Sequence, residues 1–199
     1  MYPAPIREYY SPATIKEAAS LYSELEGEVM FIAGGMSLMQ AMKSRLTAPD
    51  CLIDLNQLEE LKGIYITNNT ISIGAMTRYK EIAASRNKLS PYDALCDAAA
   101  HIGDRQVRNR GTIGGSLCWN FIAACTPIAT LATGGKIEIL RRSPGTTEKI
   151  WIDDFLKGAM ETALEDGDLL LRVNFPETDK PAGSSYKKWG IVTDAVPVI

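Results

Sequence analysis

Two pairs of adjacent glycines, each flanked by small or hydroxyl residues, constrain this chain more than any other feature. The first is Ala33-Gly34-Gly35-Met36-Ser37, which follows the β-prone run Val29 to Ile32. The second is Thr112-Ile113-Gly114-Gly115-Ser116. A residue without a Cβ lets another backbone or a ligand come close and admits positive φ. Successive amides around such a turn can form a nest that binds anions. Either pair alone is a weak signal and reads first as a tight turn, or for the second pair as a turn or bulge. Together, in separately folded units, they are able to clamp a diphosphate from two sides. Neither fits G-x-G-x-x-G or a Walker sequence, which argues against a Rossmann dinucleotide site and a P-loop.

The rest of the pattern predicts an α+β chain. Ser11-Pro12 is expected to open a helix, with Ile15, Ala18, Ala19 and Tyr22 on one face and Gly27 at its end. A second helix is expected through Leu38, Met39 and Met42, and a buried strand over Cys51 to Leu55. This opening, residues 1–56, reads as a small α/β unit. Ile64 to Ile66 and Thr70 to Ile73 alternate around Asn68-Asn69, a hairpin signal because Asn tolerates positive φ. Thr77 is expected to cap a short helix over Arg78 to Ala84. Ser90-Pro91 and Thr126-Pro127 are expected to start two more, the latter ending at Gly134-Gly135. Residues 103–110 and 111–116 read as a charged loop leading into a glycine loop. Lys136 to Leu140 and Leu169 to Phe175 read as strands of an antiparallel sheet, so residues 57–178 form a second, α+β unit.

Composition removes several function classes. The 199 residues carry a net charge of −3, with no basic field for nucleic acid or an anionic membrane surface. No apolar run approaches a membrane span, and Met1 to Tyr10 lacks the core of a signal peptide. A cytoplasmic location is the expectation. Cys51, Cys96, Cys118 and Cys125 include no Cys-x-x-Cys pair and read as reduced thiols, and His101 is the only histidine. A catalytic triad and a multi-histidine metal site are therefore not expected; no catalytic or metal-binding residue is assigned. Arg105, Arg108 and Arg110 fall within six positions. They read as a phosphate clamp or as a solvated loop framing the second glycine pair, and the second is preferred. His101 reads equally as a neighbour of a cofactor ring or as a helix-end histidine.

The order of motifs resembles one family. Phe31 to Leu38 is followed by Leu52-Ile53-Asp54-Leu55, Ile73-Gly74-Ala75-Met76-Thr77, Ile102 to Leu117 and Tyr186-Lys187-Lys188-Trp189-Gly190. This series resembles the FAD-binding subunit of the molybdopterin dehydrogenases, the molybdenum hydroxylases that include carbon monoxide and xanthine dehydrogenases. The resemblance implies a two-subdomain FAD-binding fold of the vanillyl-alcohol-oxidase (PCMH) type. It implies that Ile32, Ala33, Gly34, Gly35, Met36 and Ser37, with Thr112, Ile113, Gly114, Gly115 and Ser116, hold the pyrophosphate by backbone amides. By the same resemblance Thr77 and His101 lie near the cofactor, Leu170 packs close to it, and Tyr186, Lys187 and Lys188 approach its ring.

As partners the resemblance implies a molybdopterin-binding large subunit and a small subunit carrying [2Fe-2S] clusters, with electrons passing through the clusters and FAD to an acceptor. A stand-alone flavin oxidoreductase and an inactive FAD-fold module are the alternatives. The sequence departs from the family at Met36, Phe121 and Cys125, where polar or acidic residues are common. The family continues with a further α+β domain, and residues 179–199 are expected to be its truncated start.

Overall fold

The computed structural model describes residues 5–143, 145–176 and 183–190. The chain opens with strand β1 (Glu8–Tyr10), helix α1 (Ile15–Glu24), strand β2 (Val29–Ile32), helix α2 (Leu38–Lys43) and strand β3 (Cys51–Asp54). These strands form a parallel sheet in the order β1-β3-β2. Helix α1 starts later than Ser11-Pro12 suggested. Thr14 is its cap, accepting from the Glu17 amide at 3.2 Å, while the Glu17 carboxylate accepts from the Ala13 amide at 2.8 Å. A capping threonine satisfies one orphan amide of the first turn, and Ser11 has no such partner among the described residues.

The second sheet is antiparallel throughout. It contains β4 (Ile64–Thr67), β5 (Thr70–Gly74), β6 (Lys136–Leu140), β7 (Thr147–Trp151) and β10 (Leu169–Pro176), in the order β4-β5-β10-β6-β7. Asn68 and Asn69, at φ 50° and 57°, make the two-residue turn expected between β4 and β5. Helices α3 (Tyr79–Ala83), α4 (Arg86–Leu89), α5 (Asp93–His101), α6 (Arg105–Arg110), α7 (Ile113–Trp119) and α8 (Cys125–Ala132) lie between β5 and β6. After β7 come the short helix α9 (Ile152–Phe155) and a small hairpin of β8 (Leu156–Gly158) and β9 (Glu161–Thr162). No helix among the described residues is long and apolar enough to cross a membrane.

Several expectations need correction. Arg105–Arg110 is a helix, not a loop: Asp104 caps it by accepting from the Val107 amide at 2.8 Å. None of its residues is buried, so it has no apolar periodicity to betray it. Gly114 and Gly115 lie inside α7, whose cap is Thr112. Glycine costs a helix about 1 kcal/mol, and the tertiary contacts described below outweigh that. The cap of α3 is Arg78, not Thr77. Helix α5 begins at Asp93, not at Ser90-Pro91, and α8 begins at Cys125, one residue before Thr126-Pro127. The strands β1, β7, β8 and β9 are too short or too polar to stand out in the sequence. Of the expected further domain start at 179–199, only 183–190 is described.

Strand β10 joins the two cores. Its register against β6 shifts between Leu170 and Arg172, a bulge that leaves Leu171 unpaired on that side. Leu169 and Leu171 pack with Ala18, Ile53, Leu58 and Met76 beneath the parallel sheet. Leu170, Val173 and Phe175 pack on the other side, with Ile73, Leu95 and Ile137. The unbroken Leu169-Leu170-Leu171 run is therefore apolar on both faces, and alternation begins after the bulge.

Just before this strand, Asp168 closes the loop from β9. Its carboxylate accepts from the Arg141 guanidinium at 2.6 Å and from the amides of Arg142 and Glu165 at 2.9 and 3.0 Å. Burial acts to raise its pKa, but these donors outweigh it and hold the group below the usual carboxylate value. A depressed folded-state pKa gives stability that is present above the unfolded value of about 3.9 and is lost as pH falls through the folded value. Asp168→Asn is expected to cost about 3 kcal/mol near neutral pH, the scale for breaking a buried ion pair. The gap from wild type should narrow below about pH 4. Urea unfolding at a series of pH values reads both; a gap independent of pH refutes the assignment.

Candidate functional site

A cleft of about 840 Å³ runs between the two sheets. This is within the range of small-molecule sites, roughly 300 to 1,000 Å³. Its centre is the meeting of the two glycine segments. Ala33, Gly34, Gly35, Met36 and Ser37 form one wall, and Thr112, Gly114, Gly115 and Ser116 form the other. One end is lined by Met30, Gln40, Ala41, Ser44 and Leu46, and the other by Ile102, Val107, Ala124, Cys125, Leu170 and Lys188.

The two walls differ in what their amides offer. In the first, Gly35 has φ +72°, which turns the backbone between β2 and α2. The amides of Gly34, Gly35, Met36, Ser37 and Leu38 have no acceptor among the described residues. In the second, the amides are already bonded. Ile113 donates to the Thr77 carbonyl at 3.2 Å, Gly114 to the Ala75 carbonyl at 2.9 Å, and Ser116 to the Thr112 carbonyl at 3.1 Å. Gly115 donates to the Thr112 hydroxyl at 3.1 Å. Free amide donors, the feature that an anion seeks, are thus on the 34–38 side. The opposite wall offers side-chain hydroxyls and a close-packed surface.

The glycines of that meeting serve the protein's own packing. A Cβ on Gly34 would collide with the Arg110 carbonyl and lie 2.9 Å from the Gly111 Cα. On Gly114 it would lie 2.6 Å from the Ala75 Cβ. Arg78 ties the crossing together. Its guanidinium donates to the Arg110 carbonyl and to the Asn56 side-chain oxygen, while the Asn56 amide donates to the Ala33 carbonyl at 3.0 Å. Burial, then the charge of Arg110, hold the Arg78 pKa below its ordinary value. Sequence reading missed Arg78 and Asn56, because an arginine after Ala-Met-Thr and an asparagine after Asp-Leu carry no motif. It also missed Ile102, Val107 and the Met30–Leu46 end, whose only signal is their nearness to the glycine pairs.

The remaining expected site residues fall as follows. Leu170 and Lys188 line the cleft. Ile32 packs beside Leu38 and Leu52, and Ile113 is fully buried in the main core. Thr77 is fully buried and spends its hydroxyl on the Gly63 carbonyl at 3.0 Å, outside the cleft. His101 is exposed at the end of α5, with Nδ1 2.7 Å from the Asp97 carbonyl, and it meets Tyr186 edge-on with ring centroids 6.0 Å apart. Tyr186 packs against the main core and Lys187 is exposed; neither lines the cleft. Residues 183–190 are held along α5 by Ser184, which accepts from the Ala94 amide at 3.1 Å and donates to the Pro91 carbonyl at 2.8 Å. That placement brings Lys188 to the cleft. Of the clustered arginines, Arg108 donates to the Ile102 and Gly103 carbonyls at 2.9 and 2.8 Å, closing the end of α5.

Compared with known families, residues 4–178 match the FAD binding domain in molybdopterin dehydrogenase. The chain belongs to that family. Its cofactor is accordingly FAD, and its fold is the α+β FAD-binding fold. The domain is 33% identical over 181 residues to the carbon monoxide dehydrogenase medium chain of Hydrogenophaga pseudoflava, spanning 91% of this chain and 62% of that protein. It is 34% identical over 179 residues to the glyceraldehyde dehydrogenase medium chain of Sulfolobus acidocaldarius, spanning 90% and 62%. A solved structure of the Hydrogenophaga carbon monoxide dehydrogenase, lacking the Mo-pyranopterin moiety, superposes with a TM-score of 0.91 at 32% identity, over 99% of this chain and 68% of that one. The FAD-binding domain spans under two thirds of the length of the curated relatives it matches.

The geometry at the crossing predicts two different failures. Gly34→Ala meets fixed backbone and is expected to destabilise the cofactor-free domain by about 2 kcal/mol or more, as overpacking does. Gly35→Ala meets only the Met39 Cγ at 3.2 Å and an Ile32 methyl at 3.4 Å. It should cost about 1 kcal/mol, from its left-handed φ. Urea midpoints compare them; a milder Gly34→Ala contradicts the interlock.

Proposed function

We propose that this chain is the FAD-holding, electron-transferring part of the medium subunit of a molybdenum hydroxylase, an FAD-dependent oxidoreductase subunit. Its partners are a molybdopterin-binding large subunit and a small subunit with [2Fe-2S] clusters. Electrons reach the flavin from the clusters and leave to an acceptor. The observation that carries the reading is the run of five amides, Gly34 to Leu38, that have no acceptor among the described residues and belong to the lining of a cleft of about 840 Å³. The names of the relatives, dehydrogenase medium chains, support the wider assignment.

On this reading the 34–38 amides and the Ser37 hydroxyl bind the pyrophosphate, and Thr112, Gly115 and Ser116 close over it from the other side. One end of the cleft, near Ala41 and Leu46, takes the adenosine part. The end near Leu170 and Lys188 takes the isoalloxazine. The redox chemistry is supplied by the flavin when bound. The protein's own residues bind it, orient it and exclude water along its length. Binding is non-covalent, and the site is expected to sit in the cytoplasm.

Acid precipitation of the loaded protein should release FAD into the supernatant; flavin left in the pellet would contradict non-covalent binding. Gly35→Val should weaken FAD at least about tenfold, 1.4 kcal/mol, because a β-branched residue resists positive φ. Arg108→Ala should change affinity less than about threefold, since its guanidinium faces the protein's own carbonyls. A fluorescence titration decides, and loss of binding in Arg108→Ala alone would restore the clamp reading. The electron path is tested by mixing a reduced [2Fe-2S] subunit with the FAD-loaded chain. Bleaching of the flavin absorbance is the expected result, and its persistence would leave only the binding function.

A further inference from the structure

We propose that Cys125 is a thiol-modification site inside the cleft, made reactive by Lys188, with hydroperoxides and other soft electrophiles as its reagents. The four cysteines divide by position. Cys51 and Cys96 are buried in β3 and α5, away from the cleft, while Cys118 and Cys125 line it. Cys118 has no side-chain partner among the described residues. Cys125 has one.

The Lys188 ammonium nitrogen lies 3.9 Å from the Cys125 Sγ and donates to it. No carboxylate lies within ion-pair distance of Lys188 among the described residues. Its charge is therefore directed at the sulfur. Thiol reactivity rises beside a cation because the attacking species carries negative charge on sulfur. The Cys125 side chain is only 3% exposed and lines the cleft, so a reagent reaches it from there.

With hydrogen peroxide the step balances without another reactant. Sulfur attacks one peroxide oxygen, an S–O bond forms and the O–O bond breaks. The sulfur loses two electrons, the peroxide gains them, and the departing oxygen leaves as water with the thiol proton. The product is a sulfenic acid on the cleft wall. An adduct there and a ligand filling the cleft compete for the same space, so modification opposes cofactor loading. In that respect the inference rests on the proposed FAD site.

The test is alkylation of the cofactor-free chain with iodoacetamide, with the rate at each cysteine read by peptide mass mapping. Cys125 is expected to react at least about tenfold faster than Cys51 and Cys96. Lys188→Gln should slow Cys125 about tenfold, Lys188→Arg should restore most of the rate, and the Cys51 and Cys96 rates should stay unchanged, which shows that the variants fold. Hydrogen peroxide followed by dimedone should label Cys125, and preloaded FAD should protect it. A Cys125 rate equal to those of Cys51 and Cys96, or unaltered by Lys188→Gln, overturns the proposal. A fast, Lys188-dependent Cys125 that FAD does not protect upholds the thiol site and counts against FAD occupying this cleft.

Discussion

The backbone of Arg110 and Gly111 crosses Gly34 so closely that no side chain fits between them. Everything at the site depends on that crossing. It sets the spacing of the two glycine walls, and so the width available to a ligand lying between them. Arg78 and Asn56 hold it by bonding carbonyls on both sides, Arg110 on one and Ala33 on the other. A half-buried guanidinium is costly unless its donors are satisfied. Here the acceptors are carbonyls and a side-chain amide, so the charge is used to join two segments and not to neutralise a carboxylate.

The crossing also assigns different work to two similar motifs. In the 33–37 segment Gly35 has positive φ, and the five amides of Gly34 to Leu38 have no acceptor among the described residues. In the 112–116 segment the same glycine pair is wound into a helix whose first amides bond Thr77, Ala75 and the Thr112 hydroxyl. The helix is pressed against Ala75, and Ala75 in turn donates its amide to the carbonyl of the bulged residue Leu171. The bulge in β10 is thus linked, through one residue, to the placement of the second wall. Strand alternation turns Leu169 and Leu171 toward one core and Leu170, which lines the cleft, toward the other, and the bulge shifts that alternation so that Val173 and Phe175 share the side of Leu170.

Much of this was legible because period and composition act locally. The Asn68-Asn69 turn, β2, β3, β6 and β10 follow from alternation, apolar runs and residues that accept positive φ. The glycine pairs marked the cleft. Helix α6 was not legible, since six mostly polar residues with a single Asp cap leave no periodic trace. Thr77 illustrates the opposite error: a hydroxyl residue just before a helix reads as a cap, yet it is buried under Gly63 and leaves the capping position to Arg78.

The sequence by itself determined where the chain can turn sharply, which stretches alternate or repeat at helical spacing, and that two glycine pairs stand out from that pattern. Those properties depend on a residue and its near neighbours. Only the tertiary structure decided which pair keeps its amides free, which glycines exist to admit another stretch of backbone, and that Lys188 stands beside Cys125. The acceptors that occupy the α7 amides at Ile113 and Gly114 come from Thr77 and Ala75, and the backbone that excludes a side chain at Gly34 comes from Arg110. Partners so distant along the chain leave no mark on the local pattern of either segment.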